Sequence, residues 1–353
     1  MALAELSVED LRCIEKAELN LGPGTHLIFG ANGAGKTSLL EAAFVLGRGR
    51  SFRTRLNERL IRHGAKAFRV VGRTVAEPLP HTLGLEVGKE QGTRARLDGE
   101  NVRSLAELAG AFPVQAIDPD AHKLIEDSSA RRRRWLDWAV FHVEPGFGGA
   151  WSRYSRALLQ RNAALRANQG QIEVWDRELA REGEVLTDCR VRVLTALRPY
   201  WAELCSLLVE QDLALGFTAG WDRTHSLAES LANALPRDRE RGATSTGPHR
   251  ADVLLRLQGK AAREVLSRGQ QKLAAVALTL CQLEFLQREH GLRSTLLLDD
   301  PSAELDQERL GRFIQRVKAL DTQLIVTALD RDSRLFGTPE SVFHVEQGRV
   351  SRL

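Results

Sequence analysis

The sequence predicts an α/β chain with mixed parallel and antiparallel sheets, joined to a helical second lobe. Three observations carry that expectation. The stretch Gly30-Ala31-Asn32-Gly33-Ala34-Gly35-Lys36-Thr37 fits G-x-x-x-x-G-K-[ST] and lies between an apolar strand and an apolar helix. From about Asp120 to Arg241 the chain is rich in Ala, Leu, Arg, Glu and Gln, sparse in Gly and Pro, and helical in period. The last third returns to short apolar strands, one of which ends in the carboxylate pair Asp299-Asp300.

The motif predicts its own chemistry. His26 to Phe29 reads as a buried strand and Ser38 to Leu46 as a mostly buried helix, which is the setting a phosphate-binding loop needs. Glycines at 30, 33 and 35, with Ala31, Asn32 and Ala34 between them, let the backbone curl so that successive N–H groups face one anion. The helix start adds partial positive charge at the same place. Lys36 is expected to reach the β/γ-phosphates, Thr37 to sit on Mg²⁺, and Ser38 to add a phosphate contact. A nucleoside triphosphate is the expected ligand.

Composition sets the frame. The 353 residues suit about two domains. An apolar content of 43% and a charged content of 27% are ordinary for a globular protein. No window approaches the ~18 apolar residues of a membrane span, and the first residues lack the basic-then-apolar pattern of a signal peptide. Cys13, Cys189, Cys205 and Cys281 are far apart with no C-x-x-C spacing, so buried thiols in a reducing cytoplasm are expected and a structural metal is not. The net charge of +4 leans weakly towards acidic partners.

Ahead of the motif, Ala4 to Val8 and Ala17 to Leu21 alternate like antiparallel strands. The signal returns at Phe68 to Val71 and His81 to Val87, and Gly92, Asp98-Gly99 and Asn101 mark a hairpin-rich patch. In the helical stretch the apolar positions are Trp151, Tyr154, Leu158, Leu159 and Leu165, then Val185, Val191, Leu194, Leu197 and Trp201. Two arms of about 30 residues would each span ~45 Å, a short antiparallel helical arm and no long coiled coil. Beyond it, Thr295 to Asp300 and Gln323 to Thr327 read as buried strands with a helix from Glu308 to Leu320 between them, which implies parallel pairing. The expected division is 1–118, 119–241 and 242–353, the outer two segments forming one lobe.

Four apolar residues before Asp299-Asp300 make a Walker B pattern. Asp299 is expected to hold Mg²⁺ with Thr37, and Asp300 to orient or deprotonate the attacking water. Leu266-Ser267-Arg268-Gly269-Gln270-Gln271 resembles the LSGGQ signature of ABC-type ATPases, and Ser302 to Asp306 resembles their D-loop. That resemblance implies an ABC-type P-loop ATPase head in which Ser267 and Gly269 meet the ATP of a partner subunit, so that two ATP molecules are sandwiched in a dimer. Asp300 stands where transporters usually carry Glu, one methylene shorter. Thr327 stands where a switch His would follow its strand. Gln115 has two readings, a Q-loop glutamine near the nucleotide or an ordinary polar strand residue.

The match narrows further. Leu46-Gly47-Arg48-Gly49-Arg50-Ser51-Phe52-Arg53-Thr54, Gly247-Pro248-His249-Arg250 with Asp252, Arg132-Arg133-Arg134-Trp135-Leu136-Asp137 and Glu144-Pro145-Gly146-Phe147 are similar, nearly end to end, to the RecF family of bacterial recombination-repair ATPases, relatives of Rad50 and SMC heads. The resemblance implies an ATP-induced homodimer that binds duplex DNA at gaps or single/double-strand junctions and hydrolyses ATP slowly. It further implies RecR and RecO as partners in loading RecA, in the cytoplasm at the nucleoid.

Two arginine runs are candidates for DNA. Arg131, Arg132, Arg133 and Arg134 would either contact phosphates or pair with Glu126, Asp127 or Asp137 on a solvated helix face. Arg53 and Arg55 belong to a second run, Arg48 to Arg62, part of which would serve the nucleotide site or the dimer interface. No helix-turn-helix or zinc-finger spacing is present, so base reading is not expected. The rival from another class is the nucleotide-binding subunit of a membrane transporter, against which the GPHR element and the arginine runs stand. A small-molecule kinase has no use for the signature.

Overall fold

A computed structural model describes residues 2–75, 79–167, 172–301, 307–331 and 335–353. The chain divides into two compact units, residues 1–121 with 287–353, and residues 122–286. The expected boundary at 241/242 therefore differs. Residues 242–286, signature included, pack with the helical unit, because the strand that follows the GPHR element pairs there. The expected D-loop, Ser302 to Asp306, lies outside the described residues.

The first unit opens on β1 (Ala2–Leu11), β2 (Ile14–Asn20) and β3 (Thr25–Phe29). β1 and β2 form the expected antiparallel pair, with Leu6 opposite Leu19 and Val8 opposite Ala17, all four buried. Helix α1 (Lys36–Arg48) follows the glycine-rich loop. It touches strands of both sheets of this unit and is buried all round, which explains its near-continuous apolar sequence. Gly49 ends it in the left-handed conformation, φ 64°, donating its N–H to the Val45 carbonyl at 2.8 Å.

β4 (Ala67–Val75), β5 (Thr82–Gly88), β6 (Gly92–Leu97) and β7 (Glu100–Asn101) complete an antiparallel sheet in the order β2-β1-β4-β5-β6-β7. Its alternation is strict: Phe68 and Val70 are buried while Arg69 between them is exposed and paired to Glu86 at 2.8 Å. α2 (Leu105–Ala111) begins with a capping box of Ser104 and Glu107 and leads into β8 (Val114–Ile117).

The second unit contains α3 (Lys123–Glu126), α4 (Ser129–Val143), α5 (Phe147–Arg166) and α6 (Glu173–Leu204). A π-helical turn over Cys205–Val209 follows, then β9 (Leu213–Thr218) and α7 (Leu227–Arg241). β10 (Asp252–Leu257) pairs with β9 and with β11 (Lys260–Ala261), before α8 (Ala262–Val265) and α9 (Arg268–His290). α5 and α6 pack together as the arm expected from the sequence. Their inward face differs from the expected stripe. Tyr154, Leu165, Leu194, Leu197 and Trp201 are buried, but Trp151, Leu159, Val185 and Val191 are exposed.

The inward positions include Arg161 and Arg190, both fully buried. Burying a charge is costly unless it is paired and hydrogen-bonded. Arg190 makes a two-pronged contact with Asp137 at 2.7 and 2.9 Å and donates to the Pro248 carbonyl at 2.7 Å. Arg161 pairs with Asp176 and Asp238 and donates to Thr244 Oγ1 at 3.0 Å. The GPHR element is thus pinned inside the helical unit. His249 Nε2 donates to the Thr244 carbonyl at 3.1 Å, leaving Nδ1 to accept from the Tyr154 hydroxyl at 2.7 Å.

The chain then returns to the first unit through β12 (Thr295–Leu298), α10 (Gln307–Lys318), β13 (Gln323–Ala328), β14 (Ser341–Glu346) and β15 (Arg349–Arg352). The second sheet runs β15-β14-β3-β13-β12-β8, parallel throughout except at β15. The buried Gln323 amide joins the two sheets. Its oxygen accepts from Leu3 N at 2.8 Å and Thr295 Oγ1 at 2.7 Å, and its nitrogen donates to the carbonyls of Leu3 and Gly22 at 2.7 and 2.6 Å.

Gln323→Ala is expected to strand those four groups and destabilise the chain by about 3 kcal/mol or more, read from urea denaturation. His249 supplies a pH test. Burial pushes its pKa down to about 4, whereas the unfolded side chain titrates near ~6.5. The stability it contributes is therefore full above the unfolded value and is lost as pH falls through that window. The fall in Tm between these two pH values is expected to be shallower in His249→Gln than in the native chain.

Candidate nucleotide site

The glycine-rich loop joins the C-terminal end of β3 to α1, where parallel strands of an open sheet present their ligand crevice. Two glycines show why the sequence permits no other residue. At Gly30, φ is 152° and an added Cβ would lie 2.2 Å from the Val345 carbonyl oxygen. Gly33 has φ 79° with open space around it, so its requirement is conformational alone. No side chain caps the first turn of α1, whose leading N–H groups lack intrahelical acceptors. Ala31, Asn32 and Gly33 form the exposed rim, while Ala34, Gly35 and Lys36 are buried.

Lys36 folds back over the loop, donating through Nζ to the carbonyls of Gly30 at 2.6 Å and Ala31 at 3.1 Å. An ammonium held by neutral carbonyls is poised for an anion. Thr37 Oγ1 lies 2.9 Å from Oδ1 and 3.0 Å from Oδ2 of Asp299, across 262 residues of chain. Asp299 follows β12 directly and its N–H donates to the Ile117 carbonyl of β8 at 3.0 Å. The structure thus brings together the predicted Walker A and Walker B residues.

Thr327 is a residue that sequence reasoning left without a role. Fully buried at the end of β13, its hydroxyl donates to Asp299 Oδ1 at 2.9 Å and accepts the N–H of Asp300 at 2.9 Å. It braces both carboxylate residues at once. Asp300 has φ 46°, a left-handed conformation at which the backbone turns sharply just after Asp299.

The donor set fits a magnesium ion. Thr37 Oγ1 and the Asp299 carboxylate are hard oxygens already at hydrogen-bond distance, and Mg²⁺ commonly takes one or two such groups with substrate phosphates. No cluster of three His, Cys, Asp or Glu side chains able to hold a metal occurs among the described residues.

Other predicted residues fall differently. Gln115 is buried within β8 opposite Leu296, three residues short of Asp299 and so about 10 Å back along the sheet at ~3.3 Å per residue. Ser38 is buried with its hydroxyl 3.9 Å from Cys13 Sγ. Cys13 itself is exposed, unlike the other three cysteines, because it sits in the β1–β2 turn against the loop.

In the second unit, Ser267 caps α9. Its hydroxyl accepts from Gln270 N at 3.3 Å and its own N–H donates to Gln270 Oε1 at 3.0 Å, a reciprocal box. Ser267, Arg268 and Gly269 are exposed while the helix behind them is buried from Gln271 onward. A helix start is thereby presented on a rigid base.

The arginine run is largely committed to its own unit. Arg131 pairs with Asp127 at 3.0 Å, and Arg132 binds Asp252 at 2.8 and 3.0 Å while donating to the carbonyls of Ile125 and Asp127. Arg133 donates to Ser129 Oγ and the Ala251 carbonyl, and Arg134 is exposed. Arg131, Arg132 and Arg133 are thus each tied to partners within their own unit. Arg53 and Arg55 are exposed and make no ion pair with a described residue.

Comparison with known proteins agrees with this layout. The RecF/RecN/SMC N terminal domain family matches residues 2–350. DNA replication and repair protein RecF of Pectobacterium atrosepticum is 40% identical, with 99% of both chains covered. That of Escherichia coli (strain K12 / DH10B) is also 40% identical, with 99% of this chain and 100% of that one covered. A solved structure of the recombination mediator protein RecF-ATP in the RecFOR pathway superposes with TM-score 0.90 at 26% identity, covering 100% and 97% of the two chains. An SmcHead bound to a domain of ScpA shares the fold, with TM-score 0.60 at 16% identity and 100% and 98% covered. The ABC-type head, the glycine-rich loop joined to its Walker B acid and the end-to-end match together assign the chain to the RecF family of DNA replication and repair proteins.

Proposed function

We propose that the chain is an ATP-dependent DNA-binding ATPase of recombinational repair and replication-fork maintenance. Two ATP molecules close a homodimer, the dimer binds duplex DNA at gaps or single/double-strand junctions, and slow DNA-stimulated hydrolysis reopens it. With RecO- and RecR-type partners it promotes RecA loading at the nucleoid. The observation that carries this reading is the Thr37–Asp299 contact, supported by a relative in the RecFOR pathway solved with ATP.

The residues have separable tasks. The N–H groups from Gly30 to Ser38 cradle the α- and β-phosphates, and Lys36 leaves its carbonyl partners for the β/γ oxygens. Thr37 and Asp299 would hold Mg²⁺, which when bound neutralises charge on the β- and γ-phosphates. Asp300 orients the attacking water and accepts its proton, and Thr327 keeps that carboxylate in register with Asp299. Ser267 and Gly269 of the partner subunit complete the γ-phosphate cradle in trans. The short Asp300 side chain holds the water less closely than Glu would, which suits a slow switch.

Sedimentation velocity with Mg-ATP tests the dimer. Asp300→Asn is expected to form an ATP-dependent dimer that co-sediments with a gapped duplex, while Lys36→Ala stays monomeric and unbound. An ATP dimer indifferent to DNA would remove the repair reading. Thr327→Val is expected to reduce turnover roughly tenfold, about 1.4 kcal/mol in the barrier, with ATP affinity within about twofold of native. Single-turnover hydrolysis and equilibrium nucleotide binding separate the two effects.

A further inference from the structure

A carboxylate on α1 has no place in the nucleotide chemistry. Glu41 lies one helical turn beyond Thr37 and is fully buried. Burial of a carboxylate is costly unless it is held by charge and hydrogen bonds together. Arg12, from the β1–β2 turn, meets it with Nε at 3.1 Å from Oε2 and Nη2 at 3.2 Å from Oε1. The Ser51 hydroxyl donates to Oε1 in a short contact.

Ser51 is in turn the hub of the segment that follows α1. Its Oγ accepts from Arg53 N at 2.9 Å and Thr54 N at 3.0 Å, and its N–H donates to Asn57 Oδ1 at 3.2 Å. Asn57 closes the loop by donating to the Gly49 carbonyl at 2.8 Å. A second tie is aromatic: Phe52 meets Phe44 of α1 edge-on, ring centroids 5.2 Å apart. The loop is therefore folded on α1 through one polar and one apolar anchor. It carries Arg53 and Arg55 outward, exposed and without an ion pair to any described residue. Two exposed guanidinium groups with no ion pair to a described residue, carried on a turn whose backbone is held by Ser51, suit phosphodiester oxygens, which they would contact without reading bases.

We infer that Glu41 is a positioning residue that, through Ser51, ties the phosphate-binding helix to a DNA-backbone contact made by Arg53 and Arg55. This rests on the DNA-binding reading above. The same helix that begins at the triphosphate thus ends at the groups that touch DNA, and preorganising them lowers the cost of binding.

The test compares full-length native protein with Ser51→Ala, Glu41→Gln and the double variant Arg53→Ala/Arg55→Ala. Binding of a gapped duplex is titrated with Mg-ATP over a range of salt, alongside equilibrium ATP affinity. Ser51→Ala is expected to weaken DNA binding about fivefold or more with the salt slope retained, since both charges remain but are no longer held. The double arginine variant is expected to lose about 2 from the log–log salt slope, one phosphate contact per arginine. Glu41→Gln, which keeps an acceptor for Ser51, is expected to fall between native and Ser51→Ala. ATP affinity should stay within about twofold of native for Ser51→Ala and for the double variant. Native-like DNA affinity and slope in both of these variants would overturn the inference, and so would a parallel loss of ATP affinity, which would assign the loop to the nucleotide. If native protein itself ignores DNA, the proposed function fails instead, and the two failures are distinguishable.

Discussion

Parallel alignment of β3, β13 and β12 is the constraint from which the site follows. Three strands that are remote in sequence end at one level, and their C-terminal residues deliver the glycine-rich loop, Thr327 and Asp299 to one place. Parallel neighbours require long crossovers, and here one crossover is used to the full. β8 and β12 are hydrogen-bonded neighbours, yet the whole second unit lies between them in sequence. Loop-closure entropy grows only slowly with loop length, so a folded insertion of this size is tolerated once the strands pair. Gln323 then fixes the height of the parallel sheet against β1, because a buried amide with every hydrogen bond made is intolerant of a slip.

Much of this was legible in the amino-acid pattern. Local signals sufficed for the β1–β2 pair, the loop before α1 and the strand-helix-strand from β12 to β13, since each depends on residues close in sequence. The Walker acids were legible because chemistry restricts which residues can serve there. Thr327 was not: its value lies in touching Asp299 and the Asp300 N–H, contacts that no period encodes. Nor was the burial of Arg132 legible, its partner Asp252 lying 120 residues away.

The helical unit shows a different limit. Apolar periodicity located α5 and α6 but marked the wrong residues as inward, because Arg161 and Arg190 occupy the interior. A pattern that scores arginine as surface cannot anticipate a buried charge held by Asp137 and the Pro248 carbonyl, or by Asp176, Asp238 and Thr244. Such a network specifies one arrangement more than it adds net stability, since removing any partner leaves the others uncompensated. It also ties down the GPHR element, since the Pro248 carbonyl accepts from Arg190.

The parallel register also sets a clock on biosynthesis. Strand β3 emerges early from the ribosome, but Leu324, its neighbour opposite Thr25, is made roughly 300 residues later. At ~5–20 residues per second, the nascent chain holds an incomplete glycine-rich loop with an unpaired strand edge for about 15–60 s. When Leu286 has been made the second unit has its whole sequence, while the first still lacks Asp299 and both strands that flank β3. Translation therefore supplies the Walker B acid and both strands that flank β3 only after the whole second unit has been made.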